Sequence, residues 1–136
     1  MPKSEISNDK NSFMRKMPPR SENFSVIGLK IDESDDFFTI SLYFNDAVNA
    51  NSIKAEHIFI NNLPISPETE FLFNKNRHMS RFAVSKKETM SDFSIRITNL
   101  CSFDGKIMNP IELNNLETKT FYKFSREKHE WQKSSL

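Results

Sequence analysis

FFTISLYFND, residues Phe37–Asp46, is the stretch that decides the fold of this chain. Read at period two, it places Phe38, Ile40, Leu42 and Phe44 on one side and Phe37, Thr39, Ser41 and Tyr43 on the other. Alternate side chains of a β-strand point to opposite faces of its sheet. The pattern therefore predicts a strand with one wholly apolar face and one mixed face. Because later segments repeat the pattern, we expect sheets that pack together through their apolar faces.

The composition favours a single domain whose core leaves out both ends of the chain. Of 136 residues, 37% are hydrophobic and 13 are Phe, each of which can bury a large area. The 19 Lys and Arg nearly balance the 18 Asp and Glu, and residues 23–125 carry a formal charge of −2. A nucleic-acid-binding domain usually concentrates positive charge on its folded surface, so this distribution argues against one.

The two ends of the chain differ in composition from the segment between them. Residues 1–22 are rich in Pro, Ser, Asn and Lys and bury too little apolar surface to offset the entropy of ordering, so we predict a disordered segment or linker there. The folded body is expected to span residues 23–125. Residues 126–136 are predicted to form a polar tail, in which Trp131 lies among cations without forming an amphipathic helix.

The body divides into about seven short strands separated by turns. Besides Phe37–Asp46, strands are predicted over residues 24–31, 58–60, 70–74, 81–85, 93–98 and 116–124, with an irregular or edge segment at 63–67. Gly28, within the first of these, indicates a bulge or a close backbone approach, and Phe121, within the last, is expected near the core. Strands spaced by about ten residues are typical of an antiparallel sandwich or barrel. The absence of a full-length crossover helix argues against a parallel sheet.

The order of these features resembles the bacterial immunoglobulin-like domains of S-layer and other cell-surface proteins. The resemblance covers about residues 24–124 and rests on Leu42–Val48, Ser52-Ile53, Ile58–Asn62, Phe93–Ile97 and Asp104-Gly105. The chain departs from that family in having only two Gly. Asn takes the turn positions instead, at Asn49, Asn51, Asn61 and Asn62, because it tolerates left-handed conformations better than most residues. The immunoglobulin Cys…Trp…Cys core is absent, since Cys101 is the single cysteine.

The resemblance implies an all-β, antiparallel immunoglobulin-like β-sandwich that acts as a structural or protein-interaction module of a bacterial cell-surface or envelope protein. Its expected partner is a protein or a cell-envelope polymer, and the module itself is expected to be monomeric. We expect a cell-envelope or extracellular location if a leader has been removed, and a cytoplasmic one otherwise. No run in the sequence reaches the roughly 18 apolar residues of a membrane span.

No pattern in the sequence indicates an enzyme, a cofactor or a metal centre. The acidic cluster Asp32–Asp36 lacks the glycine and the spacing of a calcium loop, so a solvated turn is the favoured interpretation. His57, His78 and His129 are scattered, and no two of them have metal-ligand spacing. A nucleophilic dyad of Cys101 with His57 or His78 is conceivable in space, but Cys101 is expected to pack as a small buried side chain. We therefore expect a non-enzymatic protein without a cofactor.

Four residues are candidates for contact with a ligand. Phe37 and Tyr43 lie on the mixed face of the first strand and offer aromatic rings to a glycan or peptide, although coverage by a loop or the tail is the favoured interpretation. Arg77 and Arg81 belong to a group of cations around the central hairpin, with Lys75, Lys86 and Lys87. That group is either a weak anionic site or, as favoured, a solvated hairpin tip. Two alternative functions follow: a glycan-binding module, or a small cytoplasmic β-barrel that binds nucleic acid.

Overall fold

Ten strands make up the fold in a computed structural model that describes residues 24–86 and 93–135. They are β1 Val26–Glu33, β2 Phe37–Phe44, β3 Ile58–Ile60, β4 Leu63–Pro64, β5 Leu72–Phe73, β6 Met79–Ser85, β7 Phe93–Ile97, β8 Ile111–Leu116, β9 Thr120–Ser125 and β10 Glu130–Ser135. Two single 3₁₀ turns, Ala50–Ser52 and Ala55–His57, lie between β2 and β3. None of the described residues forms a helix that is long and apolar enough to cross a membrane.

The strands form two antiparallel sheets. The six-stranded sheet has the order β10-β9-β1-β2-β6-β5, and the four-stranded sheet has the order β4-β3-β7-β8. Every neighbouring pair is antiparallel, which confirms the predicted antiparallel all-β class. The sheets do not close on each other, so the barrel alternative is wrong.

The apolar face of β2 lies in the core, as its alternation predicts. Ile40 and Leu42 are fully buried, and Phe44 is nearly so. The same cluster includes apolar side chains from both sheets, among them Phe82, Val84, Ile58, Ile60, Ile95 and Ile97. Phe38 of β2 meets Phe93 of β7 edge to face, with ring centroids 5.4 Å apart. The two sheets therefore share one hydrophobic core, in a sandwich-like arrangement.

Asparagine supplies left-handed turn conformations in place of glycine. Asn61 and Asn62 have φ angles of 52° and 70° and connect β3 to β4 as a two-residue hairpin turn. This outcome confirms the prediction at these two positions. The prediction is wrong for Asn49 and Asn51. Asn49 is extended, with a φ of −76°, and its side chain accepts a hydrogen bond from the backbone N–H of Asn51 to cap the first 3₁₀ turn.

The predicted polar tail is wrong over Glu130–Ser135, which forms β10 and pairs with β9 along its whole length. Trp131 anchors this strand: its ring lies 5.8 Å from that of Phe124, and it packs against the core. The predicted last strand, residues 116–124, corresponds mainly to β9. A turn at residues 117–119 joins β9 to β8, which the sequence does not predict. These differences raise the strand number above the predicted seven. Residues 1–22, predicted to be disordered, lie outside the described residues.

Candidate binding face of the six-stranded sheet

The outer face of the six-stranded sheet is the surface that points away from the four-stranded sheet. Antiparallel pairing aligns its side chains in levels across β6, β2, β1 and β9. One level holds Arg81, Ser41, Lys30 and Phe121, and the next holds Met79, Tyr43, Gly28 and Lys123. Because neighbouring strands lie about 4.8 Å apart, these eight residues form one continuous patch at the centre of the sheet.

An aromatic pair of Tyr43 and Phe121 lies at the middle of this patch. The two rings meet edge to face, with centroids 5.8 Å apart and planes 84° apart. They meet over Gly28, where a β-carbon would approach both side chains to 3.3 Å. Gly28 therefore leaves room for the aromatic pair, and the predicted close approach is confirmed. The predicted position of Phe121 near the core is wrong, because Phe121 shares the outer face with Tyr43.

A bulge in β1 puts Gly28 on the outer face. The register of β1 against β2 shifts between Val26 and Gly28, so Ile27 is an extra residue. Val26 pairs with Phe44 on the core side, whereas Gly28 pairs with Tyr43 on the outer side. The bulge predicted at Gly28 is thus confirmed. It allows two residues separated by one position to point to opposite faces.

Cations flank the aromatic pair. Arg81 and Lys123 are exposed, and neither forms an ion pair with another described residue. The Lys30 ammonium lies 3.7 Å from a carboxylate oxygen of Asp32, with both side chains partly exposed. Such surface pairs hold their partners weakly. Lys30, Arg81 and Lys123 therefore bring three cations to the centre of the outer face, and Arg81 lines a groove that also contains Glu68 and Glu70.

The outer face of the four-stranded sheet differs in that its aromatic ring is already covered. The guanidinium carbon of Arg96 lies 4.4 Å from the ring centroid of Phe59, its cross-strand neighbour. Arg96 also lies opposite Glu112 of β8. A cation over the face of an aromatic ring is attracted to it electrostatically and occupies that face within the protein. By contrast, no described cation lies over Tyr43 or Phe121.

The structure separates the four residues predicted to face a ligand. Tyr43 and Arg81 share the centre of the outer face. Phe37 is 47% exposed and lies at the other end of β2, roughly 20 Å from Tyr43 along the strand. There it lines a separate groove with Ser66 and other residues. Arg77 lies in the β5–β6 turn with a φ of 62°, and its guanidinium carbon lies 5.6 Å from the ring centroid of Phe73.

The other cations of the central hairpin do not form a basic patch with Arg81. Lys86 donates to the carboxylate of Glu33 at 2.7 Å, and its ammonium lies 5.6 Å from the ring centroid of Phe38. Lys75 is exposed in the hairpin turn, and Lys87 lies outside the described residues. The described cations of the hairpin are therefore dispersed, which does not favour the weak anionic site, the less favoured of the two interpretations. Tyr43 is half-buried, and its ring contacts Phe121 of β9.

The predicted acidic cluster is divided among separate contacts. Glu33 accepts hydrogen bonds from Lys86 and, at 3.1 Å, from the hydroxyl of Thr118. The bond from Lys86 is the main cause, with that from Thr118, of a pKa for Glu33 below its ordinary value. Asp32 pairs instead with Lys30. The described part of the chain contains no group of three or more His, Cys, Asp and Glu residues that could hold a metal ion.

His57 and Cys101 both form contacts with Ser52, in the first 3₁₀ turn. Nδ1 of His57 lies 2.9 Å from the carbonyl oxygen of Ser52. Cys101 is half-buried, and its backbone N–H donates to the hydroxyl of Ser52 at 3.1 Å. No contact between Cys101 and a histidine occurs in the residues that the structure describes.

Comparison with known protein families, curated proteins and solved structures found no match to this chain. The outer face is therefore interpreted from its own geometry. Sequence reasoning missed Lys30, Phe121 and Lys123 as members of the patch. A period-two reading of Thr120–Ser125 contains the signal, because Thr120, Tyr122 and Phe124 form the more apolar set and leave Phe121 and Lys123 outside.

Proposed function

We propose that this protein is a non-enzymatic interaction module of a bacterial cell-surface or envelope protein, with an immunoglobulin-like fold. It binds its partner through the centre of the outer face. The observation that carries this proposal is the aromatic pair of Tyr43 and Phe121, flanked by Arg81 and Lys123, which form no ion pair with another described residue. Large aromatic side chains and arginine are the residues that most often dominate binding energy at interfaces.

The strand order supports the immunoglobulin-like fold. In that fold, strands A, B, E and D form one sheet and strands C, F and G form the other, with C′ beside C in the variable type. The orders β1-β2-β6-β5 and β4-β3-β7-β8 correspond to A-B-E-D and C′-C-F-G in both position and chain order. The β9–β10 hairpin is then an addition beside strand A. The sequence resemblance to bacterial immunoglobulin-like domains supports the same assignment.

The added hairpin supports a binding role because it contributes one aromatic ring and one cation to the patch. Phe121 and Lys123 belong to β9, whereas Tyr43 and Arg81 belong to β2 and β6. β9, β1 and β2 are paired on both sides, whereas β6 is paired with β2 along its length and with β5 only at Ser80 and Arg81. Side chains held by a sheet lose little conformational freedom on binding, so a preformed patch of this kind favours affinity.

Co-sedimentation with purified bacterial cell envelopes tests the proposed function. We expect the wild-type protein to pellet with the envelopes and Tyr43→Ser to remain in solution, because the variant loses the central ring. The matched control is Phe103→Ser, which removes another exposed aromatic ring (78% exposed) from the loop between β7 and β8. The control should pellet like the wild type. Equal sedimentation of all three proteins, or none by the wild type, would contradict the proposal.

A further inference from the structure

We infer that the ligand of the outer face is an acidic oligosaccharide, that is, a chain of sugar rings that carry carboxylates. This inference rests on the proposed function and names the chemical class of its partner. A sugar ring packs against the aromatic pair of Tyr43 and Phe121, and the carboxylates pair with Arg81 and Lys123.

The aromatic pair suits sugar rings. One side of a pyranose ring presents C–H groups and is apolar, so it packs on an aromatic surface while its hydroxyls remain solvated. No described residue bonds the hydroxyl of Tyr43, which leaves it available to a sugar hydroxyl. The hydroxyl of Tyr122 differs, because it accepts a hydrogen bond from the backbone N–H of Glu117 at 2.8 Å. The two tyrosines thus have different roles, one at the surface and one within the fold.

The charges of Arg81 and Lys123 favour an acidic sugar over a neutral one. Arg81 and Lys123 lie on opposite sides of the aromatic pair, three strands apart, with roughly 16 Å between their Cα atoms. Neither cation forms an ion pair with a described carboxylate, although Glu68 and Glu70 line the same groove as Arg81. A guanidinium binds a carboxylate through two parallel hydrogen bonds. Several linked sugar rings can cover the distance between the cations, so one oligosaccharide can contact both cations and the rings between them.

Two other ligand classes fit the outer face less well. An extended peptide adds to the free edge of a sheet, whereas the patch lies at the centre of the six-stranded sheet, where backbone groups are already paired. A nucleic acid requires many cations along its backbone, whereas the patch offers only Lys30, Arg81 and Lys123.

Isothermal titration with a hexamer of galacturonic acid tests this inference. We expect the full-length protein to bind the hexamer, and its fully methyl-esterified form at least about tenfold more weakly, because hydrogen bonds to charged groups are lost. Arg81→Gln and Lys123→Gln should each weaken binding of the acidic hexamer by about tenfold. Lys54→Gln is the matched control, since Lys54 is an exposed cation next to a 3₁₀ turn outside the outer face. It should bind like the wild type, and thermal melting should show that all variants are folded.

Three results would overturn the inference: equal affinity for the acidic and esterified hexamers, no binding of either, or tighter binding of an oligo-dT strand than of the acidic hexamer. Each can be distinguished from failure of the proposed function. If envelopes still pellet the wild type but not Tyr43→Ser, the outer face binds a partner of another chemistry and only the oligosaccharide assignment fails. If envelope binding is also absent, both proposals fail.

Discussion

At the scale of single residues, two buried serines have opposite surroundings. Ser80 of β6 and Ser102 in the β7–β8 connection are both fully buried. The hydroxyl of Ser80 has no hydrogen-bond partner among the described residues. The hydroxyl of Ser102 donates to a carboxylate oxygen of Asp104 and accepts from the backbone N–H of Lys106 at 2.9 Å. The same side chain therefore costs free energy at one position and stabilises a loop at the other.

Alanine substitution should separate the two serines. We expect Ser80→Ala to leave the free energy of unfolding unchanged or to raise it by up to about 1 kcal/mol, because a buried unpaired hydroxyl is removed. Ser102→Ala should lower it by about 1–3 kcal/mol, because the N–H of Lys106 and the carboxylate of Asp104 lose their partner. Urea unfolding of both variants measures the difference. A larger loss of stability in Ser80→Ala than in Ser102→Ala would show that these hydrogen bonds are not what distinguishes the sites.

At the scale of elements, β8 contains a bulge like the one in β1. The register of β7 against β8 pairs Phe93 with Leu116 and Ile95 with Leu113, which leaves one extra residue in β8. Asn115 takes the left-handed conformation there, with a φ of 58°. The extra residue lets Leu113 and Leu116, three positions apart, both lie on the core side of the sheet.

Substitution of Asn115 tests whether backbone conformation limits β8. Asn115→Gly should retain or slightly raise the free energy of unfolding, because glycine adopts positive φ without steric cost. Asn115→Val should lower it by about 1–2 kcal/mol, because a β-branched residue is strained in that conformation. Thermal and urea unfolding provide the measurement. Equal stability of the two variants would mean that β8 can pair without the left-handed residue.

The sequence predicts the strands whose apolar alternation is regular. It misses the strands that depend on a bulge or on pairing at the edge of a sheet. β2 is clear because alternation runs through eight residues. β8 is missed because its bulge breaks the period between Leu113 and Leu116. β10 is missed because an edge strand needs little apolar surface, and Trp131 is its one large apolar side chain. For the candidate site, Tyr43 and Arg81 could be proposed from sequence, but the pairing of β9 with β1, which brings in Phe121, depends on tertiary structure.

At the scale of the whole molecule, Glu33 joins three segments that are far apart in the sequence. It lies at the end of β1 and accepts hydrogen bonds from Lys86, which follows β6, and from Thr118 in the β8–β9 turn. These bonds hold the pKa of Glu33 below its ordinary value of 4.5. A carboxylate with a lowered pKa in the folded state stabilises that state above the pKa of the unfolded chain, and the stabilisation is lost as pH falls through the folded-state pKa.

Acid titration of stability should reveal the contribution of Glu33. We expect the wild type to have a higher Tm than Glu33→Gln at neutral pH, and the difference to disappear as the pH falls below 4.5, the ordinary value of this carboxyl group. Differential scanning calorimetry across this pH range measures both curves. Glu56→Gln is a suitable control, because Glu56 is exposed and belongs to a 3₁₀ turn away from these contacts. A constant Tm difference at all pH values would mean that the charge of Glu33 is not involved.

The bulge in β1 also bears on how the chain can change in length. The loss of one residue from a strand normally moves every side chain beyond it to the opposite face of the sheet. Ile27 is an exception. Without it, Val26 would still lie opposite Phe44 and Gly28 opposite Tyr43, because the register shift lies at that residue. The strand thus carries one spare position, and the loss of Ile27 alone would leave Gly28 opposite Tyr43 beneath the aromatic pair.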